Sequence, residues 1–150
     1  MMHKIKAFAA LALAAFVLAS YAADTSTSEP ASSWQTQAQK EIKAKNYVNA
    51  ITTLEAANQT NSADWNNLLG YAQRKKSPPD LVAAERFYQS ALKIEPKHKG
   101  ALEYYGELLL MKNDLAGAEQ MLARLDKACL FSCEEFRDLK EAITKFKSKK

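Results

Sequence analysis

The sequence predicts an all-α fold, a solenoid of three helical hairpins closed by a C-terminal capping helix. Three observations predict it. Only four Gly and four Pro occur in 150 residues, and Val and Ile are few beside Ala, Leu, Glu, Gln and Lys; that mix favours helices over sheet. Ala50, Ala84 and Ala118 recur 34 residues apart, and self-similarity at such a period marks a repeat architecture. The last stretch, residues 132–147, carries one apolar stripe and one wet face, as the end of a stacked array requires. Apolar residues at 47% supply enough material for a buried core.

Residues 1–22 read as an address and not as part of the fold. Lys4 and Lys6 precede an uncharged apolar run, residues 7–19, and Ser20-Tyr21-Ala22 then offers small residues at the −3 and −1 sites of a cut. Charged start, short apolar stretch and small-residue end are the parts of a secretory signal peptide. The apolar run would rise about 20 Å as a helix, short of a hydrocarbon core of about 30 Å. Export with cleavage before Ala23 is therefore expected, to the periplasm or outside the cell, with no stable membrane insertion afterwards. Residues 23–31 are polar and hold no large apolar side chain, so they read as a flexible leader.

The body, residues 32–150, divides into units at about 31–62, 63–98 and 99–131. In each, a second helix is set by offsets from the periodic Ala. Four residues on stand Leu54, Tyr88 and Leu122; seven on, Ala57, Ala91 and Leu125; three before, Tyr47, Leu81 and Leu115. These offsets form one helical face. Asn46, Asp80 and Asp114 precede these helices and supply N-cap chemistry. A first helix lies ahead of each. It is marked by Trp34, Ala38 and Ile42, then by Trp65, Leu68, Leu69 and Ala72, then by Ala101, Tyr105, Leu108 and Leu109. A hairpin alone would expose an apolar face, so the three stack to share a core.

Ser132-Cys133-Glu134-Glu135 reads as a capping box opening the last helix. Phe136, Leu139, Ile143 and Phe146 form its apolar stripe, and residues 145–150 read as a frayed, solvated basic tail.

On these residues the chain resembles the tetratricopeptide repeat family. Leu69-Gly70, then Ala84, Tyr88 and Ala91, then Pro96 follow its pattern in the middle unit. Gly106 and Ala118 continue it in the third unit, and Trp34, Ala38, Ala50, Leu54 and Ala57 keep it in the first. One spacing departs. Gly70 to Ala84 is two residues longer than Gly106 to Ala118, and the excess falls at Lys76–Pro79, where Pro suits a turn.

The resemblance implies a right-handed helical-hairpin solenoid, and a binding module whose first helices line a concave groove for a protein or an extended peptide. By the repeat's positions the groove carries Gln35, Gln39 and Ile42, then Asn67, Tyr71 and Arg74, then Glu103, Glu107 and Leu110. Of these, Asn67, Tyr71, Arg74, Glu103 and Glu107 are the candidate peptide-binding residues; the alternative is that they form only a solvated face. Tyr71 and Arg74 are expected to point away from the core, so replacing both by Ala should cost under about 1 kcal/mol. The family's clamp for C-terminal carboxylates uses Lys and Asn residues that have no counterparts here.

Other functions find little support. Lys and Arg number 21 against 17 Asp and Glu, and without Lys4 and Lys6 the excess is only +2, too diffuse for a nucleic-acid binder. No nucleophile elbow, zinc-protease helix, phosphate loop or dinucleotide fingerprint occurs. His98, between Lys97 and Lys99, reads as a surface residue at a helix start. No enzyme, cofactor or metal is expected. Cys129 and Cys133 are even in number in an oxidising compartment, so a disulfide leads. Two buried free thiols are the plainer alternative, and a thiol-redox or soft-metal function of this pair is the second functional reading.

Overall fold

The computed structural model describes residues 33–149, so the expected signal peptide and the whole of the leader lie outside the described residues. Seven α-helices follow in order, with no strand among the described residues: α1 (Ser33–Lys43), α2 (Tyr47–Ala57), α3 (Ala63–Lys75), α4 (Leu81–Ile94), α5 (Lys99–Met111), α6 (Leu115–Ala128) and α7 (Glu134–Lys147). Each helix packs on the next. Odd-numbered helices also touch the next odd-numbered helix, whereas no two even-numbered helices touch. The stack is therefore closer on the odd side, and α1, α3, α5 and α7 line the inside of the curve.

The periodic positions are where the core sits. Ala50, Ala84 and Ala118 are each fully buried, as are Leu54, Tyr88 and Leu125. Small residues there let paired helices approach closely. α2 is tied to α3 by the indole of Trp65, whose Nε1–H donates to the Leu54 carbonyl at 2.6 Å. Gly70 and Gly106 are points of close approach. A Cβ at Gly70 would lie 2.7 Å from the Tyr88 ring, and one at Gly106 would lie 2.6 Å from Leu139 of α7.

The caps follow local chemistry in part. Asp80 and Asp114 accept the N–H groups of Ala83 and Gly117, and Ser62 accepts that of Trp65. Asn46 stands at its N-cap position without a side-chain cap bond. The turns of the first and third hairpins are closed by Lys45 and Asn113 in the left-handed region, φ 59° and 62°. The longer α3–α4 loop uses no such residue, and its Ser77–Pro78 bond is cis.

Two expectations at the C-terminal end are corrected. The capping box does not form, because α7 opens one residue later, at Glu134, with Cys133 as N-cap and no side-chain bond. Glu134 and Glu135 instead sit in the first turn, where carboxylates favour the helix dipole. The helix also takes in residues 145–147 of the expected basic tail. Lys145 pairs with Glu141 and Lys147 with Glu119 of α6, both at 2.5 Å. The stripe packs as expected, with Leu139 and Ile143 buried and Phe136 and Phe146 against the α5–α6 core.

Candidate functional site

The inner face is built by α3 and α5. Asn67, Tyr71 and Arg74 follow one face of α3, and Glu103 and Glu107 lie a turn apart on α5. The fold brings Arg74 and Glu107 together: Nη2 meets Oε2 at 2.6 Å. Arg74 Nε–H also donates to the Tyr88 hydroxyl at 3.3 Å. Burial disfavours its charge, but Tyr88 and Glu107 more than offset this and raise its pKa. Burial drives the Tyr88 phenol well above its usual range, so it stays neutral.

The expected exposure of this face is corrected. Asn67, Arg74 and Glu103 are 7%, 6% and 7% exposed, and Leu110 belongs to the apolar core of α5 and α6. Polar side chains at helical spacing look solvated in one dimension, but the α3–α5 packing encloses them. Removing Arg74 would strand Glu107 and the Tyr88 hydroxyl, so the low cost expected for its replacement does not hold. Tyr71 is half-buried. Gln35 donates to Asp64 at 2.9 Å, Gln39 is exposed and Ile42 is half-buried.

Around Arg74 lie aromatic residues that sequence reasoning missed. Tyr71 contacts Tyr104 of α5 with centroids 4.8 Å apart, and Tyr47 of α2 at 6.3 Å. The guanidinium lies 5.5 and 5.6 Å from the Tyr71 and Tyr104 centroids, and Lys75 lies 5.7 Å from the Tyr71 ring. Matching glycines in the two repeats puts Glu107 opposite Tyr71, and this alignment hid Tyr104. Beside this patch, residues 45–49 of the first hairpin and 75–77 of the second enclose a cleft of about 440 Å³.

The electrostatics change along α5. The Glu103 carboxyl is pushed up to about 8, by burial first and then by Glu107, Asp138 and Glu135. His98 was read as a surface residue. It is the N-cap of α5, with Nδ1 accepting the Ala101 N–H at 3.0 Å. The ring proton therefore sits on Nε2, which faces Asp64 Oδ1 at 2.9 Å. That hydrogen bond holds the Asp64 carboxyl below its usual range. His98 and Asp64 are 34 residues apart, one repeat, a signal the sequence did contain. A second cleft, about 290 Å³, is lined by Asp64, Glu95, Lys97, His98, Lys99, Gly100 and Glu135.

Cys129 and Cys133 bring their sulfurs together across the α6–α7 turn, with Cα atoms 5.7 Å apart, within the span a disulfide bridges. Leu130 and Phe131 between them are more than nine-tenths exposed. Among the described residues no three His, Cys, Asp or Glu converge on a metal position, and no helix is long and apolar enough to cross a membrane.

Comparison with known proteins agrees with this architecture. Residues 80–144 match the tetratricopeptide repeat family model. Together with this match, the fold described above is an all-α array of tetratricopeptide-like helical hairpins. It is similar to the Yersinia enterocolitica type III secretion translocator chaperone SycD, with TM-score 0.65 and 18% identity over 76% of this chain and 81% of that one. A second SycD structure, solved with a peptide of the translocator YopD, gives TM-score 0.62 and 18% identity over 76% and 89%. No curated protein matches the sequence.

Proposed function

We propose that this chain is an exported, non-catalytic binding module whose inner face takes an extended peptide segment of a partner protein. The observation that carries it is the half-buried tyrosine set of Tyr47, Tyr71 and Tyr104 around Arg74, on the concave side of the array. Aromatic rings beside a guanidinium are the usual anchors of protein interfaces. Arg74 is already oriented by Glu107 and Tyr88, so little ordering remains to oppose binding. That SycD, of similar fold, was solved in complex with a peptide supports peptide binding by an array of this kind. The Cys129–Cys133 disulfide belongs to this reading, as a bond formed in an oxidising compartment that ties the α6–α7 turn.

The test uses random peptides displayed on phage and selected against the mature chain. Selected peptides should lose about tenfold or more in affinity on Tyr71→Ala, the scale of a 1.4 kcal/mol anchor. The thermal midpoint of that variant should stay near wild type. Peptides that bind Tyr71→Ala as tightly as wild type would remove the inner face from the site. Export and the disulfide are checked by intact mass of the native protein, read with and without alkylation before reduction. The expected product starts at Ala23 and takes up no alkyl group; a full-length or doubly alkylated chain overturns that part.

A further inference from the structure

The turns within the three hairpins differ in charge balance. At the third turn Lys112 is paired with Glu85 at 2.5 Å. At the first two turns Lys45, Lys75 and Lys76 line the 440 Å³ cleft, and no acidic residue lines it with them. Among the described residues none of these three lysines takes part in an ion pair. Where Asp80 and Asp114 cap α4 and α6, α2 has the uncharged Asn46, which also lines the cleft. The first turn of α2 holds no acid either. Like charges gathered in a recess raise the local potential and focus it on an entering anion.

The cleft is also continuous with the tyrosine set. Tyr47 lines it and meets the Tyr71 ring with centroids 6.3 Å apart. Lys75 lines it and lies 5.7 Å from the same ring. A segment lying across Tyr71 therefore reaches the cleft with its next residues. Val48, on the cleft wall, is 64% exposed and offers an apolar contact to the stem of an entering side chain. Lys45 belongs to the α1–α2 turn, and Lys76 follows the last residue of α3. Two of the three charges thus come from turns at the edge of the groove, and not from the inward repeat positions of the first helices. A nucleic acid would need a longer basic track than three lysines in one recess. A single anionic side chain needs no more.

We propose that this cleft is a subsite for an aspartate or glutamate side chain of the bound segment, held by Lys45 and Lys76 with Lys75 at the Tyr71 end. The carboxylate brings the counter-charge that the three lysines lack. The subsite rests on the peptide-binding reading above and adds a required chemistry and a direction. The acidic residue of the ligand lies toward the α1–α2 turn, and its apolar part lies over Tyr71 and Tyr104, toward α5.

The phage-selected peptides supply the test, as synthetic copies with amidated C-termini, so that the only carboxylates are on side chains. Each Asp or Glu is replaced in turn by Asn or Gln. One replacement should weaken binding to the wild-type chain by about fivefold, the scale of an exposed ion pair. The same replacement should change binding to Lys45→Met/Lys76→Met by less than about 1.5-fold. Added salt should weaken the wild-type complex more than that of the variant. The amide resonances of Tyr47, Val48 and Asn49 should shift on binding and lose that shift with the neutralised peptide. Thermal melting checks that the double variant is folded, and Lys76→Met alone replaces it if it is not. Selected peptides without a shared acidic residue, or an equal penalty on both proteins, overturn the subsite. A single-stranded oligonucleotide that binds wild type more tightly than the peptides, and is lost on the double variant, overturns it too and gives the cleft to phosphates. In each case a loss on Tyr71→Ala would still uphold the groove. If no peptide is selected at all, both readings fall.

Discussion

Gly70 and Gly106 hold the same position in successive repeats, yet each admits a different neighbour. Gly70 receives the ring of Tyr88, from α4 of its own hairpin. Gly106 receives Leu139, from the capping helix α7. The ring at Gly70 carries a hydroxyl that holds Arg74, and through Arg74 the second hairpin reaches Glu107 of the third. The side chain at Gly106 is purely apolar and joins the α5–α6–α7 core. One repeat junction is therefore polar and oriented, and the other is a dry seal. A missing side chain at this position is a socket, and the residue that fills it decides whether the junction is polar or dry.

The largest break in this comparison should come from the Tyr88 socket. Tyr88→Ala should cost about 3–5 kcal/mol, as large aromatic truncations in cores do. Tyr88→Phe, which removes only the hydroxyl, should cost about 1–2 kcal/mol by leaving Arg74 short of an acceptor. Urea unfolding reads both. A Tyr88→Phe chain as stable as wild type would reduce the difference between the junctions to shape alone.

The seal at Gly106 gives the next effect. Leu139→Ala should cost about 2–4 kcal/mol, and Gly106→Ala about 1–3 kcal/mol by overpacking. The two together should cost clearly less than their sum, because the added methyl occupies space the truncated Leu139 leaves. A double-mutant cycle measures this; strict additivity would mean that Leu139 and Gly106 do not share one space.

The smallest effect concerns Glu103, at the acidic end of the polar junction. Its carboxyl rises from an ordinary 4.5 to about 8, chiefly through burial. The folded chain then holds a proton that the unfolded chain has released. This contribution is fully present below about pH 4.5 and is lost as pH climbs through about 8. The charged groups facing Glu103 are Arg74 on α3, Glu107 on its own helix, and Glu135 and Asp138 on α7. Allowing for solvent screening of these partly exposed partners, the loss should be about 1–2 kcal/mol. Stability of Glu103→Gln followed across that window should fall less than wild type by this amount. Parallel pH profiles would place the Glu103 charge in solvent.

The sequence by itself determined the repeat, because hydrophobic period, small residues at helix crossings and Asp caps are local or strictly periodic signals. Ala50, Ala84 and Ala118, the Asp80 and Asp114 caps, and the stripe from Phe136 to Phe146 were all legible from spacing alone. The site residues were legible only as neighbours on one face, for spacing says which side chains share a face and not what covers it. Only tertiary packing decided that Arg74 and Glu103 are enclosed, that Tyr104 joins Tyr71 out of register with the glycines, and that Asn67 Oδ1 is left without a donor. Each of these depends on how α5 is set along α3 and α7 along α5. The Tyr88 ring at Gly70 sets α4 on α3 and Leu139 at Gly106 sets α7 on α5, and the two extra residues at Lys76–Pro79 conceal these settings from a count of residues.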